Sequence, residues 1–124
     1  MSKLIVKTAN EADFFKRGKK LAKLADLGKR LPEERVVSFE DPADMLKLLS
    51  AARLVLLRAV RAQPGSITAI SERLHRDRSA VKRDVDELAA FGLVEVEAKI
   101  LPGHGQMKEV RATAKQFRLE ALLT

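Results

Sequence analysis

Apolar positions recur along this chain in two rhythms, a helical one and an alternating one, and the switches between them predict its elements. The run Lys3-Leu4-Ile5-Val6-Lys7 reads as a short strand. Asn10 then offers a helix N-cap, with Glu11 and Asp13 favourably placed in the first turn. Phe14, Gly18, Leu21 and Ala25 form one stripe at i, i+4, i+7 and i+11, which carries the helix to about Leu27 and the cap Gly28. Lys16, Arg17, Lys19, Lys20 and Lys23 occupy much of the remaining surface. Pro32 ends this stretch, and Arg35-Val36-Val37-Ser38-Phe39 predicts a second strand. Strand, helix and strand together make a β-α-β arm over residues 1–40. With little core of its own, it is expected to pack on the main domain or on a second subunit.

From Asp41 onward the helical rhythm dominates. Asp41 is an N-cap with Pro42 at the first helical position, and Met45, Leu46, Leu48 and Leu49 belong to a short helix. A longer helix, Ala51 to Ala62, turns inward Leu54, Leu57 and either Leu56 or Val60, and Pro64-Gly65 terminates it. Ser66 caps the next helix, where Ile67, Ile70 and Leu74 share a face. His75-Arg76-Asp77-Arg78 makes a turn. Ser79 to Phe91 is again helical, with Val81, Val85 and Leu88 on one side and Gly92 closing it.

The rhythm then changes to period two. Leu93-Val94-Glu95-Val96-Glu97-Ala98 alternates, Pro102-Gly103-His104-Gly105 turns, and Lys108-Glu109-Val110-Arg111-Ala112 alternates again, completing a hairpin. The tail from Lys115 to Leu122 is apolar enough for a third strand or a short helix. Two short helices joined by a tight turn and followed by a hairpin give the order of a winged helix-turn-helix. The expected fold class is therefore α+β: a winged helix-turn-helix over residues 41–124, preceded by the small β-α-β arm.

Composition narrows the partners. The 124 residues hold 24 Lys and Arg against 17 Asp and Glu, a net charge of +7, which favours a polyanion. Five Phe and no Trp or Tyr are few for stacking single-stranded bases, so duplex DNA is favoured. With no Cys, disulfides, thiolate zinc sites and cysteine nucleophiles are excluded. No apolar stretch is long enough to span a bilayer, and the short stripe of the Phe14–Ala25 helix argues for packing on protein rather than on a membrane surface. A cytoplasmic protein is expected.

The residues expected to contact duplex DNA follow from the helix order. Arg78, Ser79, Lys82 and Arg83 lie on the first turns of the helix whose other face is anchored by Val81, Val85 and Leu88. Ser66, Thr68 and Arg76 flank that helix on the partner helix and the turn. Lys99, His104, Gln106 and Lys108 belong to the hairpin and reach for an adjacent groove or backbone. A plainer reading makes the helix cations a solvated face, tied into Lys82–Asp86 and Arg83–Glu87 pairs.

The run Ala69 to Leu88 resembles the MarR-like winged-helix regulators of bacteria and archaea. Phe91-Gly92-Leu93-Val94-Glu95 is similar to the step by which those proteins enter the wing, and Ser38-Phe39-Glu40-Asp41-Pro42 to the junction that precedes their winged helix. The likeness covers about residues 36–98. His75 departs from it, standing where Gly is common. The resemblance implies a transcriptional regulator, usually a repressor and homodimeric on a palindromic site, which here would act on its own gene. For some members it implies an antitoxin that also binds a cognate toxin. A winged helix used only for protein contact is the further alternative. No enzyme is expected: the same-face carboxylates Glu95 and Glu97 fit an exposed strand as well as a hydrolase. The two His residues are too far apart for a metal pair, and Pro102–Gly105 lacks the frame of a phosphate-binding loop. No cofactor is expected.

Overall fold

Leu4, Ile5 and Val6 are all buried, so the first strand is covered on both faces, as befits the centre of a parallel sheet. The computed structural model describes residues 2–8, 19, 22–23, 34–103 and 105–122. In it, β1 (Lys3–Thr8) lies between β2 (Glu34–Phe39) and β5 (Gln116–Glu120), and both neighbours run parallel to it. Val6 pairs with Val37 on one side and Leu119 on the other. Parallel neighbours need a crossover. Lys19, Ala22 and Lys23 are helical within the one that joins β1 to β2. The rest of the expected Asn10–Leu27 helix, with Phe14, Gly18, Leu21 and Ala25, lies outside the described residues.

One expectation is corrected here. Residues 41–124 were expected to form a single domain, with the tail either strand or helix. The tail is a strand, and it pairs with β1, so Gln116–Thr124 groups with the N-terminal residues and Lys47–Lys115 form the second unit. Alternation announces a strand, but it carries no record of the partner, which is set by pairing across a hundred residues of chain.

Four helices follow β2: α1 (Pro42–Leu48), α2 (Ala51–Ala62), α3 (Ile67–Leu74) and α4 (Arg78–Ala90). Each starts on a cap. The Asp41 carboxylate accepts from the Ala43 N–H at 2.9 Å, and Ser50 Oγ from Arg53 at 3.3 Å. Ser66 Oγ accepts from Ala69 at 3.1 Å. The sequence placed the last helix from Ser79. It begins at Arg78, because Asp77 is the cap and accepts from both Ser79 and Ala80.

The two helices α3 and α4 end by the same device, paired i−5 and i−3 bonds to the last turn. Arg76 and His75 donate to Ser71 and Glu72, and Leu93 and Gly92 donate to Leu88 and Ala89. The residue in the left-handed region is Gly92 in one and His75, at φ +52°, in the other.

The core of the second unit lies under α2, α3 and α4. Leu56, Val60, Ile70, Val81, Val85, Leu88, Leu93 and Val110 are each fully buried. Both Leu56 and Val60 therefore turn inward, and Leu54 is only half-buried. The hairpin is β3 (Val94–Leu101) with β4 (Gly105–Ala112), and Gly65 adds a bridge to Val110 with bonds of 3.1 and 2.8 Å. Tri-helical core, helix-turn-helix and hairpin make this unit winged-helix-like within an α+β chain.

Candidate nucleic-acid interface

Helix α4 alternates a buried and an open side with the helical period. Val81, Asp84, Val85 and Leu88 are buried, while Arg78, Ser79, Lys82, Arg83, Asp86 and Glu87 are exposed. The open side is polarised along the axis: three cations occupy the first two turns and two acids follow. Arg78, at the first helical position, faces the positive end of the helix dipole, an arrangement that an isolated helix disfavours. Only Lys82 is tied, donating to Asp86 at 2.8 Å in a pair more than half exposed. Arg78 and Arg83 form no ion pair among the described residues, so the expected Arg83–Glu87 pair is not made.

What fixes the roll of α4 is a carboxylate that sequence reading passed over. Asp84 is only 8% exposed. Its Oδ1 accepts from Arg53 Nε of α2 at 3.1 Å, and its Oδ2 from Arg76 Nη2 of the turn at 2.8 Å. Arg53 Nη1 also donates to the carbonyls of Lys47 and Leu48 at 3.0 and 3.2 Å. The clamp therefore ties the start of α2, the turn and the middle of α4. A signal was available in the sequence: Asp84 falls on the apolar stripe between Val81 and Val85, and an acid there demands a cation.

Arg76, named among the residues expected to contact DNA, has its guanidinium turned onto Asp84, and Nη1 is buried without a hydrogen-bond partner. It acts on α4 from within. Ser66 is likewise occupied as a cap, whereas Thr68 is exposed on the first turn of α3. Thr68, His75, Arg76, Asp77 and Arg78 are among the residues lining an open groove of about 700 Å³ between α3 and the start of α4.

The hairpin sorts its candidates onto opposite faces. Lys99 stands across from Met107, Ile100 from Gln106 and Ala98 from Lys108, so Lys99 faces away from Gln106 and Lys108. Lys99 is also bound to Glu109 at 3.0 Å, and Arg111 joins Glu97 at 3.2 Å and Glu109 at 3.7 Å. These pairs, two of them diagonal across the ladder, offset the like charges of Glu97 and Glu109, which are directly opposite. His104 lies outside the described residues. Among the described residues no three His, Cys, Asp or Glu side chains group to hold a metal ion, and no helix is long and apolar enough to cross a membrane.

A model of the HVO_A0114 family matches residues 48–118, which takes in the helical core, α4 and the whole hairpin. A solved structure titled as a possible transcriptional regulator from Methanosarcina mazei Go1 is similar over 62% of this chain and 68% of its own. The two are 21% identical, with a TM-score of 0.49. No curated protein matches the sequence.

Proposed function

The chain belongs to the HVO_A0114 family, and we propose that it binds double-stranded DNA through α4 as a transcriptional regulator rather than acting as an enzyme. The observation that carries the reading is the polarised open face of α4. Arg78 and Arg83 are exposed and form no ion pair among the described residues, with Arg78 at the adverse end of its helix dipole, over an anchor of Val81, Val85 and Leu88 that is fully buried. Such a placement is unfavourable in the free protein and becomes favourable against phosphates or guanine edges, where each cation displaces condensed counterions.

Arg78, Lys82 and Arg83 are the groups that would enter the major groove, with Ser79 and Thr68 beside them. Repression, a homodimer on a palindromic site and control of its own gene are the finer reading, supported by the resemblance of residues 69–88 to MarR-like regulators.

The test is fluorescence anisotropy of the protein with a duplex from its own upstream region and with a scrambled duplex, across a salt series. Preferential binding with a log–log salt slope of about −0.9 per phosphate is the expected result. Absence of binding to both duplexes near physiological salt removes the proposal. Equal binding to both leaves duplex recognition and removes the sequence-specific regulator.

A further inference from the structure

The three-stranded sheet ends, on the side of β5, in an edge that its sequence leaves unblunted. Among the described residues no strand lies beyond β5. Its pairing with β1 runs from Gln116 to Glu120 without a bulge, and it contains no proline. Gln116 donates its N–H to the Ser2 carbonyl at 3.3 Å, and the Leu122 N–H donates to Thr8 Oγ1 at 2.8 Å. Backbone groups of successive residues point to opposite sides of a strand, so the even positions are turned to β1. Phe117, Leu119 and Ala121 therefore turn their N–H and C=O to the open edge. Among the side chains, Val37, Val6 and Leu119 form one row across one face of the sheet. Val6 is fully buried, yet Leu119, where the row stops, is 40% exposed. On the other face Arg118 and Glu120 are exposed and paired with each other.

We propose that this edge is self-complementary: β5 pairs antiparallel with β5 of a second copy of the chain, about a two-fold axis at Leu119, and joins two sheets into one. Charge selects both the occupant and the register. With Leu119 across from the partner's Leu119, Arg118 stands across from the partner's Glu120, and Glu120 across from the partner's Arg118. Centring on Arg118 or on Glu120 would set like charges against each other on the axis. Centring on Phe117 would put Arg118 across from the partner's Gln116 and leave Glu120 without a cation. The backbone agrees with the Leu119 register. Leu119 offers its N–H and C=O outward as a hydrogen-bonded pair requires, and Arg118 and Glu120 fall in the non-hydrogen-bonded pairs, where side chains approach most closely. On the apolar face the row of Val37, Val6 and Leu119 then continues into the second sheet. The contact is made by main chain and strand side chains, with no helix in it.

The experiment is sedimentation equilibrium of the unaltered protein, of Arg118→Glu, of Glu120→Arg, and of an equimolar mixture of the two variants. No DNA enters it, so its result is independent of the reading of α4. The unaltered protein is expected to dimerise. Each variant carries a β5 of one sign that meets its own copy with like charges, and its dimer should weaken about tenfold or more. The mixture sets an acidic β5 against a basic one and is expected to regain the dimer as a heterodimer. Loss of the Arg118–Glu120 pair within one chain cannot be undone by mixing, so recovery is specific to contact between strands. Both side chains are about half exposed, so the variants should keep the fold, which circular dichroism verifies. Amide exchange on the unaltered protein gives a second readout: the Leu119 N–H should gain protection as concentration rises, while the Arg118 N–H, turned to β1, should not. A monomer at every concentration overturns the proposal. So does a dimer equally strong in all four samples, or one that the variants lose and the mixture fails to restore. Should a variant unfold, Leu119 protection that is independent of concentration overturns it.

Discussion

Helix α4 and the hairpin carry similar numbers of charges and handle them in opposite ways. In α4 one acid, Asp84, is drawn inward under two arginines and another, Asp77, is used as the cap, so that Arg78 and Arg83 are left outside and unpaired. In the hairpin the acids are spread along one strand face, where Lys99 and Arg111 are engaged with Glu97 and Glu109. A cation is available to a partner only when the fold has found another use for the neighbouring acid. Net charge therefore says little about which residues reach a polyanion; burial and pairing say more.

Breaking the inward half of this contrast should have the largest effect. Asp84→Ala leaves the Arg53 and Arg76 guanidiniums partly buried without their carboxylate. Loss of a buried partner costs about 3–5 kcal/mol, and the partial exposure of all three side chains lowers this to about 2–3. Arg76→Ala is expected to cost about 1 kcal/mol, since Arg53 remains on Asp84 and the orphaned Nη1 disappears. Urea unfolding reads both. Equal losses for the two variants would mean that Asp84 is not the centre of the clamp.

The outward half makes a two-sided prediction about Arg78, which sits at the first position of α4. Arg78→Ala is expected to lower affinity for a preferred duplex by about 1–3 kcal/mol if it reads a base edge. The same change should raise stability by roughly 0.3–0.5 kcal/mol, because a cation leaves the positive end of the helix dipole. Affinity by anisotropy and stability by urea titration should thus move in opposite directions. A fall in both would show that Arg78 supports the fold and that its exposure is incidental.

The contrast also marks how far sequence reading reached. The anchor Val81, Val85 and Leu88 was legible because buried helix positions repeat at i, i+4 and i+7. The first residue of α4 was placed one position late, at Ser79, because nothing local fixes the start until the left-handed His75 shows where the preceding helix stops and Asp77 caps the next. The pairing of Arg76 with Asp84 was not legible, because the two are eight residues apart and nothing local shows which way a long side chain folds. The sides of Lys99 and Lys108 were open to reading: once Leu101 pairs with Gly105 across the turn, odd and even positions separate. The partner of β5 was not, because it lies at the other end of the chain.

His75 offers a smaller test on the same helix pair. Gly92 closes α4 in the left-handed region without strain, whereas His75 closes α3 there with a side chain, at a penalty of about 1 kcal/mol. His75→Gly is expected to raise stability by about 0.5–1 kcal/mol, part of the relief being lost to a more flexible unfolded chain. Duplex affinity should stay as it was, the imidazole being a turn residue. A clear loss of affinity with a gain in stability would move His75 from the turn to the DNA interface.

The smallest effect separates the two uses of charge most directly. Lys82 is the cation of α4 that behaves as the hairpin cations do, held by Asp86 at 2.8 Å one turn further on. Both side chains are about 60% exposed, so the pair contributes only about 0.3–0.5 kcal/mol, and Asp86→Ala should destabilise the protein by no more than that. It also removes the negative charge nearest the proposed groove contact and leaves Lys82 as free as Arg83. Duplex affinity is then expected to rise several-fold at low salt, and the gain to shrink as salt screens the exposed charges. Unchanged affinity at every salt concentration would place Lys82 and Asp86 together outside the interface, and would confine the DNA-facing part of α4 to Arg78, Ser79 and Arg83.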